Sequence, residues 1–120
     1  MAPLPRLLLV DDETMLGSSL TRLWRRRFEV LYVDGVEAAL AVLDEVDVVL
    51  CDLKMPYRGG IEFYAEVRDR RPDLLHKVVF MTGDLCCEDT RDFLEGIENA
   101  RYEKPFDTRA VADRLVSLAS

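Results

Sequence analysis

Four short strand-like segments of this chain run directly into polar residues, and this pattern limits the folds that the chain can adopt. Three of these segments are apolar and the fourth is a brief Arg-Tyr-Glu sequence; they cover 7–10, 48–51, 78–81 and 101–103. The polar residues that follow them are Asp11, Asp12, Asp52, Thr82 and Lys104. In a parallel α/β sheet, ligands bind just outside the carboxyl ends of the strands. The pattern therefore predicts one site of carboxylates, a hydroxyl and an ammonium, suited to a cation and a phosphoryl group.

Between these segments, apolar residues recur at helical spacing, so strands and helices alternate. Strands are predicted over 6–10, 28–33, 46–51, 77–82 and 101–103. Helices are predicted over 13–27, 35–44, 61–71 and 88–94, followed by a last helix capped by Asp107. The polar stretch after Pro72, which contains His76, is predicted to be a loop.

Fivefold alternation predicts a flavodoxin-like (βα)5 fold, an α/β architecture with an open parallel sheet and helices on both faces. Glu29 and Tyr32 make the second strand less apolar than its neighbours, and the fifth strand is short. Both are therefore placed at edges, which gives the strand order 2-1-3-4-5 and a topological switch between strands 1 and 3. At 120 residues, the chain is expected to be one domain spanning 1–120.

Charge and composition exclude several classes of function. The formal net charge of −7 disfavours direct nucleic-acid binding, which needs a basic surface. No apolar stretch approaches the ~20 residues of a membrane span, and the first residues lack a signal-peptide pattern, so a cytoplasmic protein is expected. Cys51 is interpreted as a core residue, and the adjacent Cys86 and Cys87 match no zinc-ligand spacing.

The clustered carboxylates predict a magnesium site. Asp11, Asp12 and Asp52 offer hard oxygen ligands, and the backbone carbonyl of Lys54 is a further candidate ligand. Asp11 and Asp12, taken alone, are equally compatible with capping the first helix. Asp52 is the candidate nucleophile, because carboxylates form aspartyl-phosphate intermediates when cations offset the incoming charge.

Lys104 and Thr82 complete the predicted site. Lys104 would supply a mobile positive charge to the phosphoryl oxygens, and Thr82 would donate a hydrogen bond to the same group. Gly83 would leave room for those oxygens to approach. An exposed lysine before a turn is the alternative interpretation of Lys104.

The polar strand ends fall within four motifs that together resemble the receiver domain of bacterial two-component response regulators. The motifs are Leu9-Val10-Asp11-Asp12-Glu13, Cys51-Asp52-Leu53-Lys54-Met55-Pro56 with Gly59-Gly60, Met81-Thr82-Gly83 and Glu103-Lys104-Pro105-Phe106. The resemblance covers nearly the whole chain. It implies that Asp52 is the phosphoacceptor, that Asp11 and Asp12 bind Mg²⁺, and that Thr82 and Lys104 are the switch hydroxyl and site lysine, with Pro105 following.

The resemblance also implies partners. A histidine kinase or a histidine phosphotransfer protein would donate the phosphoryl group, and a downstream protein target would read a surface of helix 4, strand 5 and helix 5. A stand-alone regulator and a receiver of a hybrid histidine kinase both remain open, with the motif spacing favouring the second. A monomer or weak dimer is expected.

One position departs from the family pattern. Three residues before the site lysine, where the family usually has an aromatic switch residue, this chain has Arg101, with Tyr102 next to it. Either a shifted or bulged strand gives Tyr102 this role, or Thr82 moves without an aromatic partner. Arg101 is hypothesised to contact Glu88 or Asp92 of helix 4.

Two further positions are implied to tune the lifetime of the phosphorylated state. Lys54 and Asp84 are predicted to form a salt bridge across the mouth of the site and to slow hydrolysis of the phosphoaspartate.

Two other classes of protein compete with the receiver interpretation. A haloacid-dehalogenase-like phosphatase would need a second aspartate two residues after its nucleophile, and this chain has Lys54 there. A pseudo-receiver would act by binding alone, without phosphorylation, but the site residues are intact. The chain is therefore expected to be a phosphoacceptor signalling domain and not an enzyme acting on other substrates.

Overall fold

A five-stranded parallel sheet lies at the centre of the molecule. The computed structural model describes residues 3–83 and 88–120. Its strands are β1 (Arg6–Val10), β2 (Glu29–Val33), β3 (Val48–Asp52), β4 (Val78–Thr82) and β5 (Arg101–Glu103). They pair in the order β2-β1-β3-β4-β5, which confirms the predicted topology.

Five α-helices connect and flank the strands. They are α1 (Thr14–Trp24), α2 (Val36–Ala41), α3 (Gly60–Arg70), α4 (Glu88–Glu95) and α5 (Thr108–Ala119). Asp107 caps α5 as predicted, because its Oδ1 atom accepts hydrogen bonds from the backbone N–H groups of Arg109 and Ala110. None of the helices in the described ranges is long and apolar enough to cross a membrane.

Most predicted elements agree with the structure to within one or two residues at each end, and larger differences occur at the ends of α1 and α2 and after Pro72. Helix α1 ends at Trp24 rather than at residue 27, and α2 ends at Ala41 and is followed by a 3-10 helix, Leu43–Glu45. The stretch after Pro72 was expected to be a loop but forms a second 3-10 helix, Pro72–Lys77. Arg71 fixes the start of this helix, since its Nη1 atom donates to Leu43 O and Val46 O at 2.9 Å each.

Alternate residues of the central strands supply two cores, one on each face of the sheet. Leu8, Val49 and Phe80 pack beneath α2, α3 and α4, whereas Leu9 and Met81 pack beneath α1 and α5. Burial on both faces explains why β1, β3 and β4 are nearly continuous in apolar residues. Cys51 belongs to the first core and is fully buried, as expected from its strand.

The strand register brings the polar strand ends to one edge of the sheet. Val10 is paired with Cys51, Asp52 with Met81, and Thr82 with Glu103. One residue beyond β5, the backbone N–H of Lys104 donates to Thr82 O at 2.8 Å. The carboxyl ends of β1, β3, β4 and β5 therefore present their polar residues side by side.

Candidate functional site

The ammonium group of Lys104 lies at the centre of the predicted site. Its Nζ atom is 3.0 Å from Asp11 Oδ2, 3.0 Å from Asp52 Oδ2 and 2.9 Å from Glu13 Oε1. The lysine side chain is only 15% exposed. The structure therefore excludes the alternative in which Lys104 is an exposed lysine before a turn.

Three aspartates form a group that could hold a metal ion. One carboxylate oxygen from each of Asp11, Asp12 and Asp52 lies within 4.8 Å of the others. Asp11 and Asp52 are buried, and Asp12 is exposed to solvent. Because the donors are all carboxylate oxygens and one side is open to water, the group fits Mg²⁺, which binds few protein oxygens and keeps several waters.

Burial and neighbouring charges set the protonation of this site. Burial raises the pKa of Asp52 to about 6, and the nearby Asp11 adds to the rise, while the hydrogen bond and charge of Lys104 oppose it. The pKa of Lys104 is raised by its hydrogen bonds to Glu13, Asp52 and Asp11, which outweigh the opposing effect of burial. Lys104 is therefore a cation at any physiological pH.

Backbone groups hold the two central carboxylates in place. Asp11 Oδ1 accepts a hydrogen bond from the backbone N–H of Glu13 at 2.8 Å, and Asp52 Oδ1 accepts one from Lys54 at 3.2 Å. The N-cap residue of α1 is Glu13, without a side-chain cap. The alternative that Asp11 or Asp12 serves as the helix cap is therefore wrong, since the Asp11 bond closes a turn that precedes the helix.

Tyr32 and Gly17 support the site and were not identified from the sequence. The Tyr32 hydroxyl donates to Asp11 O at 2.8 Å. The tyrosine ring crosses α1 at Gly17, where a Cβ atom would lie 2.2 Å from Tyr32 Cε1. A glycine inside a helix pattern is the signal that could have pointed to this close contact.

The paired glycines after Asp52 allow the loop before α3 to return against the end of β3. A Cβ atom at Gly59 would lie 2.5 Å from Leu53 O, and one at Gly60 would lie 3.0 Å from Asp52 O. The backbone N–H of Gly60 donates to Leu53 O at 2.9 Å. This close return fixes the backbone next to Asp52.

Thr82 and Gly83 lie at the carboxyl end of β4, next to the predicted site. Thr82 is buried at the end of β4, and a Cβ atom at Gly83 would meet nothing within 4 Å among the described residues. The predicted salt bridge between Lys54 and Asp84 falls outside the described residues, because Asp84 is not among them. The peptide bond between Lys104 and Pro105 is cis.

Arg101 does not make the contacts that were expected of it. Its guanidinium donates hydrogen bonds to main-chain oxygens at and beyond the end of α4, namely Leu94 O at 2.7 Å, Ile97 O at 2.9 Å and Asn99 O at 2.8 and 3.2 Å. Leu94 O lies in the last turn of α4, where carbonyl oxygens lack the usual N–H partner of a helix interior and carry partial negative charge that favours a cation. The expected contact with Glu88 or Asp92 is therefore replaced by a main-chain contact.

Tyr102 does not take the place of a switch aromatic next to α4. Strand β5 pairs with β4 residue for residue, from Arg101 opposite Phe80 to Glu103 opposite Thr82, so the strand is not bulged. Tyr102 packs against the core beneath α1 and α5. Its ring centroid lies 6.4 Å from that of Phe106.

Comparison with known proteins agrees with this geometry. The hydrogenase transcriptional regulatory protein HoxA of Cupriavidus necator is 38% identical over 111 residues, which are 91% of this chain and 22% of that protein. The transcriptional regulatory protein CpxR of Klebsiella pneumoniae is 43% identical over 115 residues, 92% of this chain and 47% of that protein. This chain thus spans about a fifth of the first relative and about half of the second.

A solved structure shows the same fold. The CheY-like response regulator receiver domain protein from Methanospirillum hungatei superposes with a TM-score of 0.83 at 24% identity, over 98% of this chain and 94% of that one. A family model described as the response regulator receiver domain matches residues 7–116. The chain therefore belongs to the response regulator receiver domain family.

Proposed function

We propose that Asp52 is the phosphoacceptor of this receiver domain and takes a phosphoryl group from a phosphohistidine. The observation that carries the proposal is the position of Lys104 Nζ, 3.0 Å from both Asp52 Oδ2 and Asp11 Oδ2, beside a group of three carboxylates. A nucleophilic carboxylate, a fixed cation and a metal-binding group are the elements that phosphoryl transfer to an aspartate needs.

The transfer balances without any further reactant. An oxygen of the ionised Asp52 carboxylate forms a bond to phosphorus while the phosphorus–nitrogen bond of the phosphohistidine breaks. The imidazole leaves with the electron pair of that bond and takes up a proton. Lys104 donates hydrogen bonds to the transferring oxygens, so its contribution is electrostatic and positional.

The carboxylates of Asp11, Asp12 and Asp52 would hold Mg²⁺, with the backbone carbonyl of Lys54 as a further ligand. When bound, the ion neutralises charge on the phosphoryl oxygens. Asp11 is buried and its Oδ1 atom is fixed by Glu13 N–H. The backbone therefore holds one oxygen of Asp11 in place, and the exposed Asp12 would supply the solvent-facing side of the group.

The phosphorylated state would be read on the surface formed by α4, β5 and α5. Thr82 is the last residue of β4, and Lys104 directly follows β5. A phosphoryl group on Asp52 can attract both side chains and so change the relative populations of two conformations of that surface. Lys54 and Gly83 would tune access of water to the phosphoaspartate and so its lifetime. Asp84, which lies outside the described residues, is proposed from its position in the sequence to act in the same way. Tyr102, in β5, and Pro105, directly after Lys104, are also proposed to take part in this change.

The donor and the target are proposed by class. Receiver domains of response regulators interact with histidine kinases or histidine phosphotransfer proteins, and a downstream protein would bind the switched surface. The two relatives described above are named as transcriptional regulators, which gives no support to the expectation of a hybrid kinase. Lys54, and not a second aspartate, lies two residues after Asp52, which argues against turnover of other substrates. We further propose that this signalling takes place in the cytoplasm.

Intact-mass spectrometry after incubation with magnesium and acetyl phosphate tests the proposal. The wild type is expected to gain one phosphoryl group that is lost in base, and Asp52→Asn is expected to gain none. Asp92→Asn, an exposed change on α4, is the matched control and should react like the wild type. Modification of Asp52→Asn to the same extent as the wild type would reject Asp52 as the acceptor.

The pseudo-receiver alternative is decided by a metal titration on the same proteins. If the wild type takes no phosphoryl group and magnesium does not bind to the three aspartates, the chain acts by binding alone. If magnesium binds but small donors fail, phosphotransfer from a phosphohistidine protein becomes the decisive assay. A solved structure named as a beryllofluoride-activated receiver domain has the same fold, with a TM-score of 0.82 at 19% identity. We propose to use beryllofluoride as the mimic of the phosphoryl group.

A further inference from the structure

Glu13 is the third carboxylate in contact with Lys104, and the proposed phosphoryl transfer gives it no role. Its Oε1 atom is 2.9 Å from Nζ, as close as the 3.0 Å contacts of Asp11 and Asp52. An ammonium group has three N–H donors. The three carboxylates therefore account for all of the donors of Lys104.

The three acceptors differ in what else they are proposed to bind. Asp11 and Asp52 belong to the group whose oxygens lie within 4.8 Å and would hold a metal ion, and Glu13 does not belong to it. Asp52 would also carry the phosphoryl group. Metal and phosphoryl group thus compete with Lys104 for the oxygens of Asp11 and Asp52, and only the contact with Glu13 is left undisturbed.

Main-chain hydrogen bonds also fix Glu13 beside the site, so that its side chain can restrain Lys104. Its backbone N–H donates to Asp11 Oδ1 at 2.8 Å, and its carbonyl accepts the first helical hydrogen bond of α1, from Gly17 N at 3.0 Å. Its side chain is 61% exposed, whereas that of Lys104 is 15% exposed. Glu13 is therefore the more solvent-exposed partner of this ion pair, and its main chain is fixed beside Asp11.

We propose that Glu13 is a positioning residue that keeps Lys104 at the mouth of the site while Asp52 exchanges its lysine contact for the phosphoryl group. This inference rests on the proposed function of Asp52. With Glu13 present, the ammonium can move from the aspartate oxygen to a phosphoryl oxygen without losing all of its partners. Without Glu13, the long lysine side chain is free to leave, and this freedom opposes the transfer.

The first test observes the lysine directly. The chain has three lysines, Lys54, Lys77 and Lys104, so few ammonium signals are expected in ¹⁵N-edited NMR spectra. The signal that is missing in Lys104→Arg is assigned to Lys104. In metal-free protein, Glu13→Ala is expected to speed exchange of the Lys104 ammonium protons with water by about twofold or more, because one of its ion pairs is removed. With magnesium and beryllofluoride added, the signal should persist in the wild type and disappear in Glu13→Ala.

The second test measures the rate of phosphorylation by acetyl phosphate. Glu13→Ala is expected to be slower by about two- to fivefold, the scale of one partly exposed ion pair. Glu13→Gln keeps an acceptor oxygen without the charge, so its phosphorylation rate should lie between those of the wild type and Glu13→Ala. Glu45→Ala removes an exposed glutamate of the 3-10 helix that precedes β3, outside the site and the proposed switch surface. It is the matched control, with a rate and an ammonium signal like those of the wild type.

The outcomes separate the role of Glu13 from the proposed function. If Glu13→Ala leaves both the exchange and the rate unchanged, or if Glu45→Ala alters them equally, the role of Glu13 in holding Lys104 is rejected. If the wild type takes no phosphoryl group from acetyl phosphate or from a phosphohistidine protein, the proposed function fails. The exchange measured in metal-free protein then still decides whether Glu13 holds Lys104.

Discussion

The guanidinium of Arg101 donates to the carbonyl oxygen of Leu94 at 2.7 Å and so joins β5 to the last turn of α4. Further hydrogen bonds to Ile97 O and Asn99 O extend this contact along the segment that follows the helix. An aromatic side chain at this position could not donate hydrogen bonds to all three of these carbonyl oxygens. The Arg101 contact instead fixes one end of α4 to the strand that leads to Lys104.

Arg101→Ala is expected to lower the free energy of unfolding by about 1.5–3 kcal/mol, the range for hydrogen bonds to a charged group. Urea unfolding at neutral pH measures this change. Arg91→Ala, at an exposed position on α4, is the control and should lie within about 0.5 kcal/mol of the wild type. Equal stability of the two variants would show that the main-chain contacts of Arg101 contribute nothing.

Gly59→Ala is expected to destabilise the protein by about 1–3 kcal/mol, the cost of forcing extra volume into a packed position. The new Cβ atom would lie 2.5 Å from Leu53 O, a backbone atom that cannot move away by a side-chain rotation. Gly83→Ala is the matched control, because a Cβ atom there meets nothing within 4 Å among the described residues. Thermal unfolding of both variants checks the prediction, and a larger loss in Gly83→Ala would contradict it.

The strand order and the meeting of Asp11, Asp52 and Lys104 could be predicted because each depends on a local pattern, a buried apolar run with a polar end. The partners of Arg101 could not be predicted, since main-chain carbonyls are acceptors that every residue carries and leave no trace in the sequence. The contact of Glu13 with Lys104 joins residues that are 91 positions apart, and no periodicity relates them. The 3-10 helix after Pro72 depends in the same way on bonds from Arg71 to distant carbonyls.

Gly17→Ala is expected to destabilise the protein by about 1–2 kcal/mol, although alanine favours helices over glycine by about 1 kcal/mol. The Cβ atom would lie 2.2 Å from Tyr32 Cε1 and would displace the ring whose hydroxyl donates to Asp11 O. Ser18→Ala, an exposed change in the same helix, serves as the control and should be neutral or slightly stabilising.

A double-mutant cycle shows whether the contact between Gly17 and Tyr32 is the cause. Tyr32→Val removes the ring, so Gly17→Ala should then cost less than it does in the wild type. We expect the two changes to be coupled by about 1 kcal/mol, as found for residues in contact. Strict additivity would place the origin of the Gly17 effect elsewhere.

The ionised form of Asp52 is expected to reduce the stability of the metal-free protein. Burial raises the pKa of this carboxyl from its ordinary value of 3.8 to about 6 in the folded chain. The folded protein therefore binds more protons than the unfolded chain between these two values, and the free energy of unfolding falls as the pH rises through this interval. The loss is on the order of 3 kcal/mol when it is complete.

Asp52→Asn removes this titration. In EDTA, its free energy of unfolding relative to the wild type should increase between pH 4 and pH 6 and stay constant above about pH 7. Urea unfolding at several pH values measures the difference, with the exposed Asp92→Asn as the control that should show no such increase. A stability difference between Asp52→Asn and the wild type that does not change with pH would mean that the buried carboxylate is not destabilising when ionised, and that Lys104 compensates fully for its burial.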